Sequence, residues 1–156
     1  MKSLIVCVSI SNGNTRRVAD RIALELGAEV VEPEAVDVDS LGDYDLVGFG
    51  SGIYFFAVHP RLWRLIGRLP AAGKGARAFT FFTSGGAAPP LLDYAGPMRR
   101  RLERKGFDVV GSFSCRGVDL VGPLRRFGGI NKGRPNAHDL ELAGDFARCL
   151  RDRAHL

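Results

Sequence analysis

Cysteine is scarce in this sequence. Only Cys7, Cys115 and Cys149 occur among 156 residues, and no Cys-x-x-Cys is present. An odd, scattered set argues against a disulfide framework and against a zinc site. His59, His138 and His155 are equally dispersed, with no His-Glu-x-x-His, so no metal site is expected. Cys7 and Cys149 read as packing or surface thiols, which points to a reduced, cytoplasmic setting. Long apolar runs are also missing. The uncharged stretches 46–60 and 78–92 are broken by Gly, Ser, Thr or Pro and fall short of the roughly 20 apolar residues that span a bilayer. Lys2 precedes only a short apolar run at 4–10, and no small-residue cleavage site follows, so no secretory leader is expected.

What is present is ordinary for one globular domain covering 1–156, with 46% hydrophobic and 25% charged residues. That composition excludes low-complexity disorder. Charge is unevenly placed. The net charge is +5, yet residues 29–45 hold seven acids and no base. Arg99, Arg100, Arg101, Arg104 and Lys105 form a basic counterpart. Such a run reads first as a solvated helix face. Its functional alternatives are docking of an acidic partner or peripheral contact with an anionic membrane surface. No nucleic-acid module accompanies it, so no nucleic-acid partner is expected.

Along the chain, strand-like and helix-like segments alternate. Residues 4–10 are a short β-branched run suited to a strand buried on both faces. Asn14–Leu26 changes period, with Val18, Ala19, Ile22, Ala23 and Leu26 on one helical face and Gly27 as the stop. Further strands are expected at 29–31, 45–51, 76–83 and 107–114. Residues 33–44 are acidic and allow at most one helical turn. Pro60 opens a helix over 60–69. Pro89 or Pro90 opens another that runs to Lys105 and stops at Gly106. Residues 115–135 hold five glycines and two prolines without a sustained period; loops that long are often functional. Asn136 with Asp139 forms a capping-box pattern for a last helix, whose buried face is Leu140, Ala143, Phe146, Ala147 and Leu150. Five strands separated by helices imply a parallel sheet with right-handed crossovers and helices on both faces. Such sheets bind ligands beyond the carboxyl ends of their strands.

Three of those ends carry the chemistry. Ser9-Ile10-Ser11-Asn12-Gly13-Asn14-Thr15 runs directly into a helix. Hydroxyls, a permissive glycine and backbone N–H groups meet there at the positive end of a helix dipole, which suits a phosphate without any Lys or Arg. It is not a P-loop, and residues 67–74 only imitate one, with spacing one residue too long. The second segment runs from Gly48 to Phe56, with Gly50, Ser51, Gly52, Ile53 and Tyr54 at its centre. Its third glycine is misplaced for a dinucleotide fingerprint and no acid follows at the required distance. Glycines beside aromatics suit a flat ring instead, although some of those aromatics belong to the core. Thr83-Ser84-Gly85-Gly86 offers small side chains and accessible backbone.

On these residues the sequence resembles the flavodoxin-like family over nearly its whole length. The segment ending Gly13-Asn14-Thr15 is similar to that family's FMN phosphate loop. Gly50-Ser51-Gly52-Ile53-Tyr54 and Thr83-Ser84-Gly85-Gly86 are similar to its two ring loops. Residues 113–115 and 128–136 resemble a small microbial subgroup. The resemblance implies a doubly wound five-stranded parallel sheet in the order 2-1-3-4-5 and noncovalent FMN. Ser9, Ser11, Asn12, Gly13, Asn14 and Thr15 would take the phosphate. Backbone at Ser51, Gly52 and Ile53 would face the flavin N5 edge, with Gly52 letting a peptide reorient, and Tyr54 would stack on the ring. Thr83, Ser84, Gly85 and Gly86 would face the pyrimidine edge. The implied function is an electron carrier between redox proteins. The alternative is an FMN-dependent oxidoreductase of a quinone-like or tetrapyrrole substrate, of the protoporphyrinogen oxidase or quinone reductase type. Well-known flavodoxins are acidic around the flavin; this chain is basic overall. No aromatic lies close behind Gly86, since Tyr94 falls eight residues on, so one ring face would be open or covered by 115–135. No residue is assigned a catalytic role.

Overall fold

The structure is a computed structural model that describes residues 1–10, 12–73, 75–85, 93–117 and 133–153. Ser11, Gly86 and most of the unassigned 115–135 stretch lie outside the described residues, as do Pro89 and Pro90.

β1 (Ser3–Val8) is buried at all six positions, as a β-branched run without charge requires of a central strand. α1 (Asn14–Leu26) follows, and Gly27 ends it at φ 61° with its N–H on the Ala23 carbonyl. β2 (Glu29–Val31) is the short edge strand. The acidic stretch then makes two 3-10 turns, Pro33–Ala35 and Ser40–Asp43, where one was expected. β3 (Leu46–Tyr54), β4 (Ala57–Val58), α2 (Pro60–Arg68) and β5 (Arg77–Ser84) come next. The described chain closes with α3 (Ala95–Arg104), β6 (Asp108–Arg116) and α4 (Ala137–Arg153). Five parallel strands run in the order β2-β1-β3-β5-β6, and β4 adds two antiparallel residues to the end of β3. This is the doubly wound path expected from the sequence, plus one short strand.

Each face of the sheet has its own core. Leu4, Val6, Phe49, Leu62, Ile66, Met98 and Leu102 join the sheet to α2 and α3. Ile5, Val18, Ile22, Phe79, Phe81, Ala143 and Ala147 join it to α1 and α4. The capping box forms: Asn136 Oδ1 accepts the Asp139 N–H at 2.9 Å, and Asp139 Oδ2 accepts the Asn136 N–H at 2.8 Å. The helix expected to begin at Pro89 or Pro90 is described only from Ala95.

β3 departs most from expectation. The strand expected over 45–51 runs three residues further, to Tyr54. The ladder with β5 continues to Gly52, and Ile53 and Tyr54 then pair with Val58 and Ala57. Phe55 and Phe56 make the two-residue turn, at φ 48° and 61°. Gly48 and Gly50 serve the core rather than a ligand. Each sits opposite a phenylalanine of β5, and an added Cβ would lie 2.4 Å from Phe79 Cζ and 2.0 Å from Phe81 Cζ.

Candidate functional site

β1, β3 and β5 are neighbours in the sheet, so the three predicted segments meet on one rim at their carboxyl ends, the position at which sheets of this kind bind ligands. At the first, Asn12 and Gly13 are both left-handed (φ 57° and 65°) and swing the chain into α1. Gly13 caps that helix without a side chain, and no acid stands in its first turn. The positive end of the dipole is therefore not neutralised by a carboxylate there. The Ser9 hydroxyl nearby is buried with no hydrogen-bond partner among the described residues. A buried, unsatisfied hydroxyl costs about 1–3 kcal/mol, and an incoming oxyanion would satisfy it.

Asn14 and Thr15, the first residues of α1, are buried at 9% and 2% exposure. Thr15 Oγ1 lies 2.8 Å from Thr83 Oγ1, joining the phosphate-type loop to the end of β5. A hydroxyl has one proton and two acceptor sites, so if Thr83 is the donor, the Thr15 proton can serve a ligand. A Cβ at Gly117 would meet Asn14 Nδ2 at 2.5 Å, and the Gly117 N–H donates to the Ser84 carbonyl at 2.9 Å. The start of α1 is thus held against the ends of β5 and β6. Ser11 and Gly86 lie outside the described residues; Gly85 is at the half-buried bend after β5.

Ser51 is fully buried, and both functions of its hydroxyl are engaged. It donates to the Gly52 carbonyl at 2.6 Å and accepts the His59 N–H at 3.1 Å. Its side chain fastens β3 to the entry of α2. Gly52 needs no unusual φ; the reason for glycine is close approach, since a Cβ would lie 2.7 Å from Tyr54 Oη. Tyr54 folds over it, and the Tyr54 hydroxyl accepts the Ile10 N–H at 3.1 Å. This one ring bridges the β1 loop and the end of β3. Its edge contact with His59, centroids 5.4 Å apart, supports that pose.

Ile53 and Ser84 open onto a cavity of about 590 Å³, bordered also by Tyr94, Cys115, Arg116 and Arg134. Tyr94, at the cap of α3, therefore does reach the rim. Arg134 grips the buried Asp139 with both arms of its guanidinium, one contact being Nη2–Oδ1 at 2.6 Å. Burial pushes the Asp139 carboxyl up. The Arg134 hydrogen bond, the Asn136 N–H and the positive charges nearby outweigh it and hold the carboxyl below its ordinary value. The capping pattern was legible in the sequence, but nothing there signalled the arginine clasp. Burial pushes the Cys115 thiol up to about 12, and likewise that of Cys7. Both are neutral near pH 7, unlike a reactive thiolate. Burial, then the charges of Arg61 and Arg64, lower the pKa of His59, whose Nδ1 accepts the Arg61 N–H at 3.2 Å. Among the described residues no acid, cysteine and histidine group is arranged to hold a metal ion, and no helix is long and apolar enough to cross a membrane.

Comparison with known proteins agrees with this fold. A family described as a flavodoxin domain matches residues 5–108. An uncharacterized protein of Methanocaldococcus jannaschii is 38% identical over 152 residues, covering 96% of this chain and 98% of that one. A flavodoxin from the domain Archaea superposes with a TM-score of 0.72 at 15% identity over 100% of both chains. Oxidised Flavodoxin 2 from Bacillus cereus superposes with a TM-score of 0.74 at 20% identity, covering 98% of this chain and 99% of that one.

Proposed function

The chain belongs to the flavodoxin domain family, and from that premise we propose that it is a cytoplasmic FMN-binding electron carrier working between redox partner proteins. The observation that carries the cofactor reading is the Ser9 hydroxyl, buried without a hydrogen-bond partner among the described residues, close to an α-helix start whose cap residue, Gly13, has no side chain. A phosphate supplies the acceptor that hydroxyl lacks and the negative charge that the helix dipole favours. Ser9, Ser11, Asn12, Gly13, Asn14 and Thr15 would hold the FMN phosphate. Backbone at Ser51, Gly52 and Ile53, with Tyr54, would take the flavin ring. Thr83, Ser84, Gly85 and Gly86 would take its pyrimidine edge. FMN, when bound, supplies reversible electron transfer; the protein sets its access and surroundings. Tyr54 orients the site by tying the ring segment to Ile10, and the Thr15–Thr83 contact sets the spacing between phosphate and ring segments.

A second reading, an FMN-dependent oxidoreductase of a quinone-like or tetrapyrrole substrate, is favoured by one feature. The cavity of about 590 Å³ beside Ser84 and Tyr94 is large enough for a planar substrate and carries Arg116 on its wall. Reconstitution with FMN followed by stepwise reduction separates the two. Two resolved one-electron steps, without NAD(P)H consumption, are the expected result for a carrier. Steady turnover of NAD(P)H with a quinone would replace the carrier reading with the enzyme.

A further inference from the structure

The basic run at 99–105 does not act as one block. Arg99 pairs with Glu103 at 2.7 Å. Lys105 donates to the Gly67 and Leu69 carbonyls at 3.0 and 2.6 Å, closing the end of α2. Arg100, Arg101 and Arg104 are left, and none forms an ion pair among the described residues. They line a groove of about 390 Å³ between α2 and α3 together with Pro97 and Trp63. The Arg101 guanidinium lies 5.8 Å from the Trp63 ring centre. α2 itself has no acidic residue.

Two costs accompany this surface. Arginines at positions 100 and 104 repel across one helical turn, by about 0.2–0.5 kcal/mol. Phe55 and Phe56, 93% and 68% exposed, sit in left-handed backbone at the hairpin that leads into α2. Each left-handed bulky residue costs about 1–2 kcal/mol, and neither ring gains much burial in return. Local costs of this kind are characteristic of functional surfaces.

We propose that the α2–α3 groove, with the Phe55–Phe56 tip, docks a redox protein whose contact surface is acidic. This rests on the carrier reading and specifies its partner surface. Charge complementarity selects the occupant: three guanidinium groups and, among the described residues, no carboxylate line the groove. Exposed aromatics and arginine are both enriched at protein interfaces. The groove also continues from the rim. Tyr94 borders the rim cavity, and Pro97, one turn further along α3, borders the groove. The Trp63 N–H reaches the His59 carbonyl at 3.5 Å, and the His59 ring touches Tyr54. A protein seated here therefore stands next to the ring segment. A flat anionic membrane fits less well, because it would also approach Glu32 and Glu34, which bind Arg61 at the start of α2 with side chains 64% and 57% exposed.

The test uses the full chain, wild type and R100Q/R101Q/R104Q, none of these positions being in the cofactor site. Flavin absorbance first reports FMN loading, so failure of the cofactor reading shows itself separately. Stopped-flow mixing with a reduced iron–sulfur protein of net negative charge then gives the rate of electron transfer. The triple variant is expected to be slower by about tenfold or more at low salt, and added salt is expected to slow only the wild type. With basic cytochrome c as acceptor of the reduced protein, the variant is expected to be no slower. Trp63 is the single tryptophan, so its emission follows docking of the acidic protein to FMN-free chain as well. Equal rates with the acidic protein in both forms, with unchanged Trp63 emission, would overturn the proposal. So would arginine-dependent sedimentation with phosphatidylglycerol vesicles accompanied by arginine-independent transfer.

Discussion

At the residue scale, the proposed phosphate site depends on two buried hydroxyls, Ser9 and Thr15, near one helix start. Removing the Ser9 hydroxyl deletes an atom with no hydrogen-bond partner among the described residues. Ser9→Ala is therefore expected to leave the apo chain as stable or slightly more so, while weakening FMN binding by about tenfold, the scale of one hydrogen bond to a charged group. Thr15→Ala also breaks the contact with Thr83, so it is expected to lower both FMN affinity and thermal stability. Flavin fluorescence titration and thermal melts check the pair. Ser51 shows the limit of reading residue types: a hydroxyl in a ring-loop motif is used here to join β3 to the His59 amide. Asp139 gives a pH test. Its folded pKa lies below the unfolded value of about 3.9, so its stabilisation is present above that pH and lost as pH falls through the folded value. Asp139→Asn is expected to cost about 1–2 kcal/mol near neutral pH, a modest figure because the Arg134 side chain is 35% exposed and partly screened. Melts between pH 7 and pH 3 should show the wild type losing that advantage in acid.

At the element scale, the helices and strands were largely legible because their hydrophobic periods are clean. Asn14–Leu26 has a single apolar stripe and a glycine stop, and the structure gives those bounds. The end of β3 was not legible. A run of glycines and aromatics suits a ligand loop or a strand whose glycines lie under neighbouring rings, and only the register with Phe79 and Phe81 decides between them. Gly50→Ala forces a Cβ into the Phe81 ring in a closed core, with an expected loss of about 3 kcal/mol in urea unfolding. The Phe55–Phe56 turn carried no sequence signal, because two-residue turns of this handedness ordinarily use Asn-Gly. F55N/F56G is accordingly expected to raise stability by about 1–2 kcal/mol in the same assay, while slowing transfer from the acidic partner. A variant that loses stability would show that the rings pack in a way their exposure does not suggest.

At the scale of the whole molecule, sheet order brings the ends of β1, β3 and β5 side by side, which no single motif could establish. The sequence motifs pointed to three strand ends; the fold sets those ends side by side and supplies the Thr15–Thr83 and Tyr54–Ile10 links between them. The uneven charge also resolves at this scale. Acidic Glu32 and Glu34 pair with Arg61 at the start of α2, and the arginine groove runs between α2 and α3. Phosphate recognition by hydroxyls and backbone at a helix start is the central feature of the proposed FMN site. Its most direct measurement is a parallel titration of the apo chain with FMN and with riboflavin, which differ only in that phosphate. Binding of FMN at least about a hundredfold tighter is predicted, about 2.7 kcal/mol of phosphate recognition. Equal affinities, or no binding of either, would contradict it.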